Sequence, residues 1–148
     1  MSDGLIHVTL QQQAEYQFDI SFGGDVPHIL GDEPPPLGAS KGPSPVQLLS
    51  AAVGNCLSDS LYFALRKWKQ SPEPIRCEVT AQVGRNEQNR LRVLHMRADL
   101  HLGVAADQLQ HLARVLPTFE QFCTVTQSVA GAIPVETRVF DAGGVQLK

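Results

Sequence analysis

The sequence has no surplus of positive charge. Twelve Lys+Arg stand against fifteen Asp+Glu, for a net charge of −3 and a pI near 5.9. Nothing is left over to neutralise a phosphate backbone, so nucleic-acid binding is not expected. No run of about 18 apolar residues is present, and a membrane-spanning helix needs one, so no membrane span is expected. The opening Met1-Ser2-Asp3-Gly4 is polar and lacks the apolar core of a signal peptide, which makes the cytoplasm the expected location. Cysteine is sparse. The three residues Cys56, Cys77 and Cys123 contain no C-x-x-C pair, which excludes a zinc ribbon, a thioredoxin motif and a secreted disulfide framework. Five scattered histidines form no H-E-x-x-H pattern, and no metal site is expected. Internal repeats and low-complexity tracts are absent. At 148 residues the chain suits one domain over residues 1–148.

What is present alternates between two periods. Ile6, Val8 and Leu10, then Tyr16, Phe18, Ile20 and Phe22, recur at every second position and predict an N-terminal hairpin ended by Gly23-Gly24. Gly31 to Pro45 is rich in Gly and Pro and predicts a stiff, ordered loop. Ser44-Pro45-Val46-Gln47 then announces a helix. Ser44 can cap it, Pro45 fits its first position, and Gln47 completes a capping box. Leu48/Leu49, Ala52/Val53, Cys56/Leu57, Leu61, Ala64/Leu65 and Trp68 follow at helical spacing. Such a helix has about 24 residues and runs roughly 36 Å. That is long for a small monomer and predicts a central helix covered on much of its circumference by a second subunit. Period-two strands return at Cys77–Val83 and Leu94–Leu102, with a bulge at Val93-Leu94. A helix is expected over Ala106–Leu116, a short one over Cys123–Ala130, and a last strand over Ile133–Phe140. Clustered strands and segregated helices define an α+β fold with a mainly antiparallel sheet packed with the long central helix.

Two of the cysteines are candidate reactive groups. Cys56 lies on the apolar stripe, where a thiol is either a small hydrophobe or a shielded nucleophile. Cys123 directly precedes a short helix, where it is either a thiol in place of a Ser cap or a thiolate favoured by the helix terminus. Cys77 sits on an apolar strand face and reads as packing.

The stretch Gly42-Pro43-Ser44-Pro45-Val46-Gln47-Leu48-Leu49, with Ala51-Ala52-Val53-Gly54-Asn55-Cys56, resembles the first cysteine motif of the OsmC/Ohr family of osmotically inducible and organic hydroperoxide resistance proteins. Cys123-Thr124-Val125-Thr126-Gln127-Ser128, followed by Ile133-Pro134-Val135-Glu136, resembles the second. The loop Asp32–Gly38 is closer to the OsmC-like branch. The resemblance covers nearly the whole chain. It implies an OsmC-like fold, an intertwined homodimer with its sites at the subunit interface, and thiol peroxidase chemistry without a cofactor. Cys56 would attack an organic hydroperoxide and become a sulfenic acid, and Cys123 would resolve it as a Cys56–Cys123 disulfide. A dithiol reductant, lipoyl-type in some relatives of that family, would restore the pair.

Two family features are missing at their matching places. The peroxidases supply an Arg from their N-terminal strands and a Glu at the start of the long helix. Here no arginine precedes Cys56, and the helix starts Pro45-Val46-Gln47. At an ordinary thiol pKa of about 8.5, roughly 3% of Cys56 would be ionised at pH 7. Lys41, His28, or Arg92 or Arg97 of a second subunit are the substitute cations, and nothing in the sequence chooses among them. Asp59, close after Cys56, would oppose ionisation. A catalytically weak protein that binds an apolar small molecule in the interface pocket is the alternative reading.

Overall fold

The computed structural model describes residues 3–148; Met1 and Ser2, which open the polar N-terminus, lie outside the described residues. The chain divides into two compact units, one ending at Leu48 and one spanning Leu49–Lys148.

The first unit is an antiparallel sheet of β1 (Thr9–Ala14), β2 (Gln17–Ser21) and β3 (Ile29–Gly31), in that order. The expected hairpin is β1–β2. The third strand was not expected, because three residues are too few to show a period. The loop after it is ordered by one buried carboxylate. Asp32 accepts hydrogen bonds from the backbone N–H groups of Glu33, Lys41 and Ala39 at 2.8, 3.0 and 3.2 Å. Glycine is required at position 42, where a Cβ would lie 1.7 Å from the Leu30 carbonyl oxygen. β1 is exposed along its whole length, Leu10 included. Leu10, Tyr16, Phe18, Ile20 and Leu48 are among the residues lining an open apolar hollow of about 220 Å³.

Helix α1 (Pro45–Lys67) begins as its sequence specifies. The Ser44 N–H donates to Gln47 Oε1 at 2.9 Å, and the Gln47 N–H donates to Ser44 Oγ at 3.3 Å. This reciprocal pair satisfies two of the donors that a helix start leaves free. Gln47 is thereby occupied in the cap.

The second unit carries β4 (Arg76–Arg85), β5 (Leu91–His101), α2 (Leu112–Val115), α3 (Thr124–Val129) and β6 (Val135–Phe140). β4 and β5 pair antiparallel, with Gln82 opposite His95 and Val83 opposite Val93. Leu94 is therefore the extra residue of the expected bulge. β6 joins β5 in parallel, Ala98 facing Thr137. A parallel neighbour needs a crossover, and the helical segments between β5 and β6 supply it. Three of the four strand pairings are antiparallel, so the α+β reading holds with β6 as its parallel member.

The helix expected over Ala106–Leu116 is broken. A 3₁₀ turn (Ala106–Gln108) and α2 are separated by His111 in the left-handed region at φ 66°. Gln70 Oε1 accepts the Gln110 N–H at 2.8 Å, a donor that a continuous helix would direct at the Ala106 carbonyl. Asp141 Oδ2 accepts the Ala106 N–H at 3.1 Å, a donor that a helix start leaves free. The expected Cys123–Ala130 helix is α3, with Cys123 at its N-cap. The last strand starts two residues later than its alternation suggests.

The core of the second unit joins Val53, Leu57, Leu61 and Leu65 of α1 to Met96, Ala98 and Leu100 of β5 and Val139 of β6, all fully buried. Each such side chain contributes about 1.5–3 kcal/mol of apolar burial. Within this chain the covered strip of α1 is narrower than the sequence stripe: Ala52 and Trp68 are exposed, as are Tyr62 and Phe63 outside it. By length and composition α1 could cross a membrane, yet its most apolar strip is committed to this core. Gly54 sits beside that strip, where a Cβ would approach Val79 Cγ2 to 2.7 Å. Helix propensity alone favours Gly54→Ala by about 1 kcal/mol. Overpacking against the stiff Val79 costs about 1–3 kcal/mol. We expect a net loss of up to about 2 kcal/mol in urea unfolding; a gain would show that β4 yields.

Candidate functional site

Cys56 and Cys123 belong to the same unit and come together. Leu57, the next residue on α1, points into the core, and at 100° per residue Cys56 falls on the flank of the buried strip. That flank faces the start of α3. The Cys123 side chain and the backbone N–H of Val125 lie close enough to the Cys56 thiol to act on its ionisation. The two thiols differ in access: Cys56 is partly exposed and Cys123 is fully buried. The Cys123 thiol does not cap its own helix. It donates instead to Thr126 Oγ1 at 3.0 Å. Both cysteines are free thiols.

Burial pushes the Cys56 thiol above its ordinary value, and the neighbouring Cys123 side chain adds to the shift by favouring the protonated form. The Val125 N–H acts in the opposite direction, while the negative charges of ionised Cys123 and of Asp59 raise it further. The expected opposition from Asp59 is thus present. Within the second unit, no cation among the described residues contributes to this balance.

Each candidate cation has a defined place. His28 Nδ1 lies 2.9 Å from Asp19 Oδ2. The backbone N–H of Lys41, not its ammonium, is bound by Asp32. Arg92 Nη1 donates to the Leu91 carbonyl at 2.8 Å. Arg97 Nε stands 3.5 Å from Asp99 Oδ2 without hydrogen-bonding it. Arg138 holds Asp99 instead, through Nε and Nη2 at 2.7 Å each. That pair keeps the Asp99 carboxyl below its usual range.

Cys77 is half-buried on the core-facing side of β4, against Gly54 of α1. Burial pushes its thiol up, and a hydrogen bond from Ser58 partly offsets this. It takes no part in the interactions of Cys56. Among the described residues no three His, Cys, Asp or Glu side chains cluster as a metal site would require.

Two participants escaped the sequence reading, the Val125 amide and the Thr126 hydroxyl. Thr126 stands three residues after Cys123, the N-cap to N3 spacing at which two side chains of a helix start meet. That spacing was the available signal.

The chain belongs to the OsmC-like protein family, whose model matches residues 38–138. Solved structures share its fold. An OsmC-like protein from Mycoplasma pneumoniae superposes with a TM-score of 0.76 at 12% identity, over 95% of this chain and 99% of that one. An OsmC-like protein of unknown function from Vibrio cholerae gives 0.75 at 18% identity, over 95% and 100%. The organic hydroperoxide resistance protein OhrB of Bacillus subtilis gives 0.69 at 14% identity, over 92% and 98%. Compared by sequence with curated proteins, the chain matches none.

The raised Cys56 thiol has a direct consequence. Its alkylation rate should climb with pH through a midpoint above that of an exposed cysteine peptide, because only the thiolate reacts. Asp59→Asn should move the midpoint down by removing an opposing charge. A profile with its midpoint well below pH 7 would show that a cation reaches Cys56 in solution.

Proposed function

We propose that the protein is a thiol-dependent peroxidase that reduces organic hydroperoxides in defence against oxidative stress. The single observation that carries this reading is that Cys56 and Cys123 come together, the one accessible and the other buried. Membership of the family and the hydroperoxide resistance described for its structural neighbour from Bacillus subtilis support the substrate class.

In the proposed cycle the Cys56 thiolate attacks the distal oxygen of R–O–O–H. The O–O bond breaks, the S–O bond forms, and the alkoxide takes a proton to leave as R–OH. Cys56 is oxidised to the sulfenic acid. Cys123 then attacks that sulfur, the S–O bond breaks, and water leaves as the disulfide closes. A dithiol reductant, of the lipoyl type used by some of the family, takes over the oxidation and returns both thiols. No cofactor enters. The exposed Leu10 and Tyr16 of the first unit, and Phe63 and Phe122 of the second, are apolar faces suited to a second copy in a homodimer. In such a dimer the partner's Arg92 or Arg97 could supply the missing cation. We place the protein in the cytoplasm.

The raised Cys56 thiol favours one second reading, a catalytically weak protein that binds an apolar small molecule at the dimer interface.

One experiment separates them. Reduced protein receives one equivalent of cumene hydroperoxide, and free thiols are counted and mapped. A fall from three thiols to one, with Cys56 joined to Cys123, is expected; three surviving thiols would favour the binding protein. Cys56→Ser should abolish peroxide consumption in the folded protein. Cys123→Ser should allow a single turnover and leave a trapped sulfenic acid. Cys77→Ser should change little, and a large loss there would mean that the redox pair was misassigned.

A further inference from the structure

The hydroxyl of Thr126 has no part in the cycle as written, yet it is hydrogen-bonded to the resolving sulfur. Thr126 is 2% exposed and Cys123 is fully buried, so water does not solvate either group freely. Their side chains are 3.0 Å apart, and the thiol is the donor. Thr126 is the third residue of α3, and the helix fixes its position: the Gln127 N–H closes on the Cys123 carbonyl at 2.9 Å and the Ala130 N–H on the Thr126 carbonyl at 2.9 Å. In the reduced protein the Cys123 proton is thus directed at Thr126.

Resolution demands the opposite polarity. Cys123 must give up its proton before its sulfur can attack, and the charge then sits in a buried site where an unsolvated anion is costly. A hydroxyl accepts and donates equally well and turns about its C–O bond. Once Cys123 ionises, the same 3.0 Å contact serves in reverse, with the O–H donating to the thiolate sulfur.

We propose that Thr126 is a positioning residue that stabilises the resolving Cys123 thiolate during disulfide closure. This rests on the assignment of Cys123 as the resolving cysteine. The step balances as Cys56–SOH plus Cys123–SH giving the disulfide plus water; the proton that leaves Cys123 ends on the departing hydroxide. The titratable groups bearing on the pair are the two thiols and, through Cys56, Asp59 of α1.

The test bypasses peroxide. Cys56 is converted to its mixed disulfide with thionitrobenzoate in a Cys77→Ser background, and release of the coloured thiolate reports attack by Cys123. Thr126→Val keeps the branched shape and removes the donor. It should slow release by about tenfold or more, as loss of a hydrogen bond to a charged group does. It should also move the pH midpoint of release upward. Thr126→Ser should restore both. Equal rates and pH profiles for Val and wild type would overturn the proposal. So would equal slowing in Val and Ser, since shape rather than the hydroxyl would then matter. If Thr126→Val fails to fold by circular dichroism, Thr126→Ala replaces it in the same comparison. Wild-type protein that ignores hydroperoxide, yet shows the Val effect and its rescue, would sink the peroxidase reading and leave this inference standing. Wild-type mixed disulfide that never releases thionitrobenzoate would sink both.

Discussion

The packing of Val53, Leu57, Leu61 and Leu65 against β5 and β6 sets the rotation of α1 about its own axis. These residues recur every fourth position and form a strip that admits no slip without carrying a leucine into water. Cys56 precedes Leu57 by one residue and follows Val53 by three, so the strip fixes it on the flank. The crossover from β5 to β6 brings the start of α3 to that flank. Neither element alone makes a site. The thiol pair exists because a helix rotation and a crossover are both fixed by one core.

That placement carries a chemical cost. The surroundings that bring Cys56 to Cys123 are apolar, and they hold its proton more tightly than water would. The Val125 amide offsets part of this, and Asp59 works against it. The site therefore brings two thiols together while disfavouring ionisation of the accessible one. A thiol peroxidase built this way depends on a charge from outside the second unit. On the buried side, the Cys123 thiol has the Thr126 hydroxyl at hand.

Much of the fold was legible because its signals are local. The capping box at Ser44 and Gln47 is a contact between residues three apart, and it formed as read. The bulge at Leu94 showed as two adjacent apolar residues in an alternating run. The failures share a cause. β3 was too short to carry a period. The Ala106–Leu116 helix had a sound apolar face, but Asp141 and Gln70 lie 35 and 40 residues from the amides they capture. No window of sequence contains such a contact. The parallel pairing of β6 was hidden for the same reason, since a strand's direction relative to its neighbour is set by the path between them.

By itself the sequence determined the cap and apolar strip of the long helix, the alternating strands, and two cysteines in separate motifs resembling one family. These follow from residue spacing and from the turn and cap preferences of single side chains, which act over a few residues. Only the tertiary structure decided which cysteine is accessible, that the Val125 amide and the Cys123 thiol meet Cys56, and that Thr126 accepts the hydrogen bond of a buried Cys123 thiol. Those outcomes depend on burial and on distances of a few ångströms between segments some 70 residues apart, and such distances come into being only when the core closes.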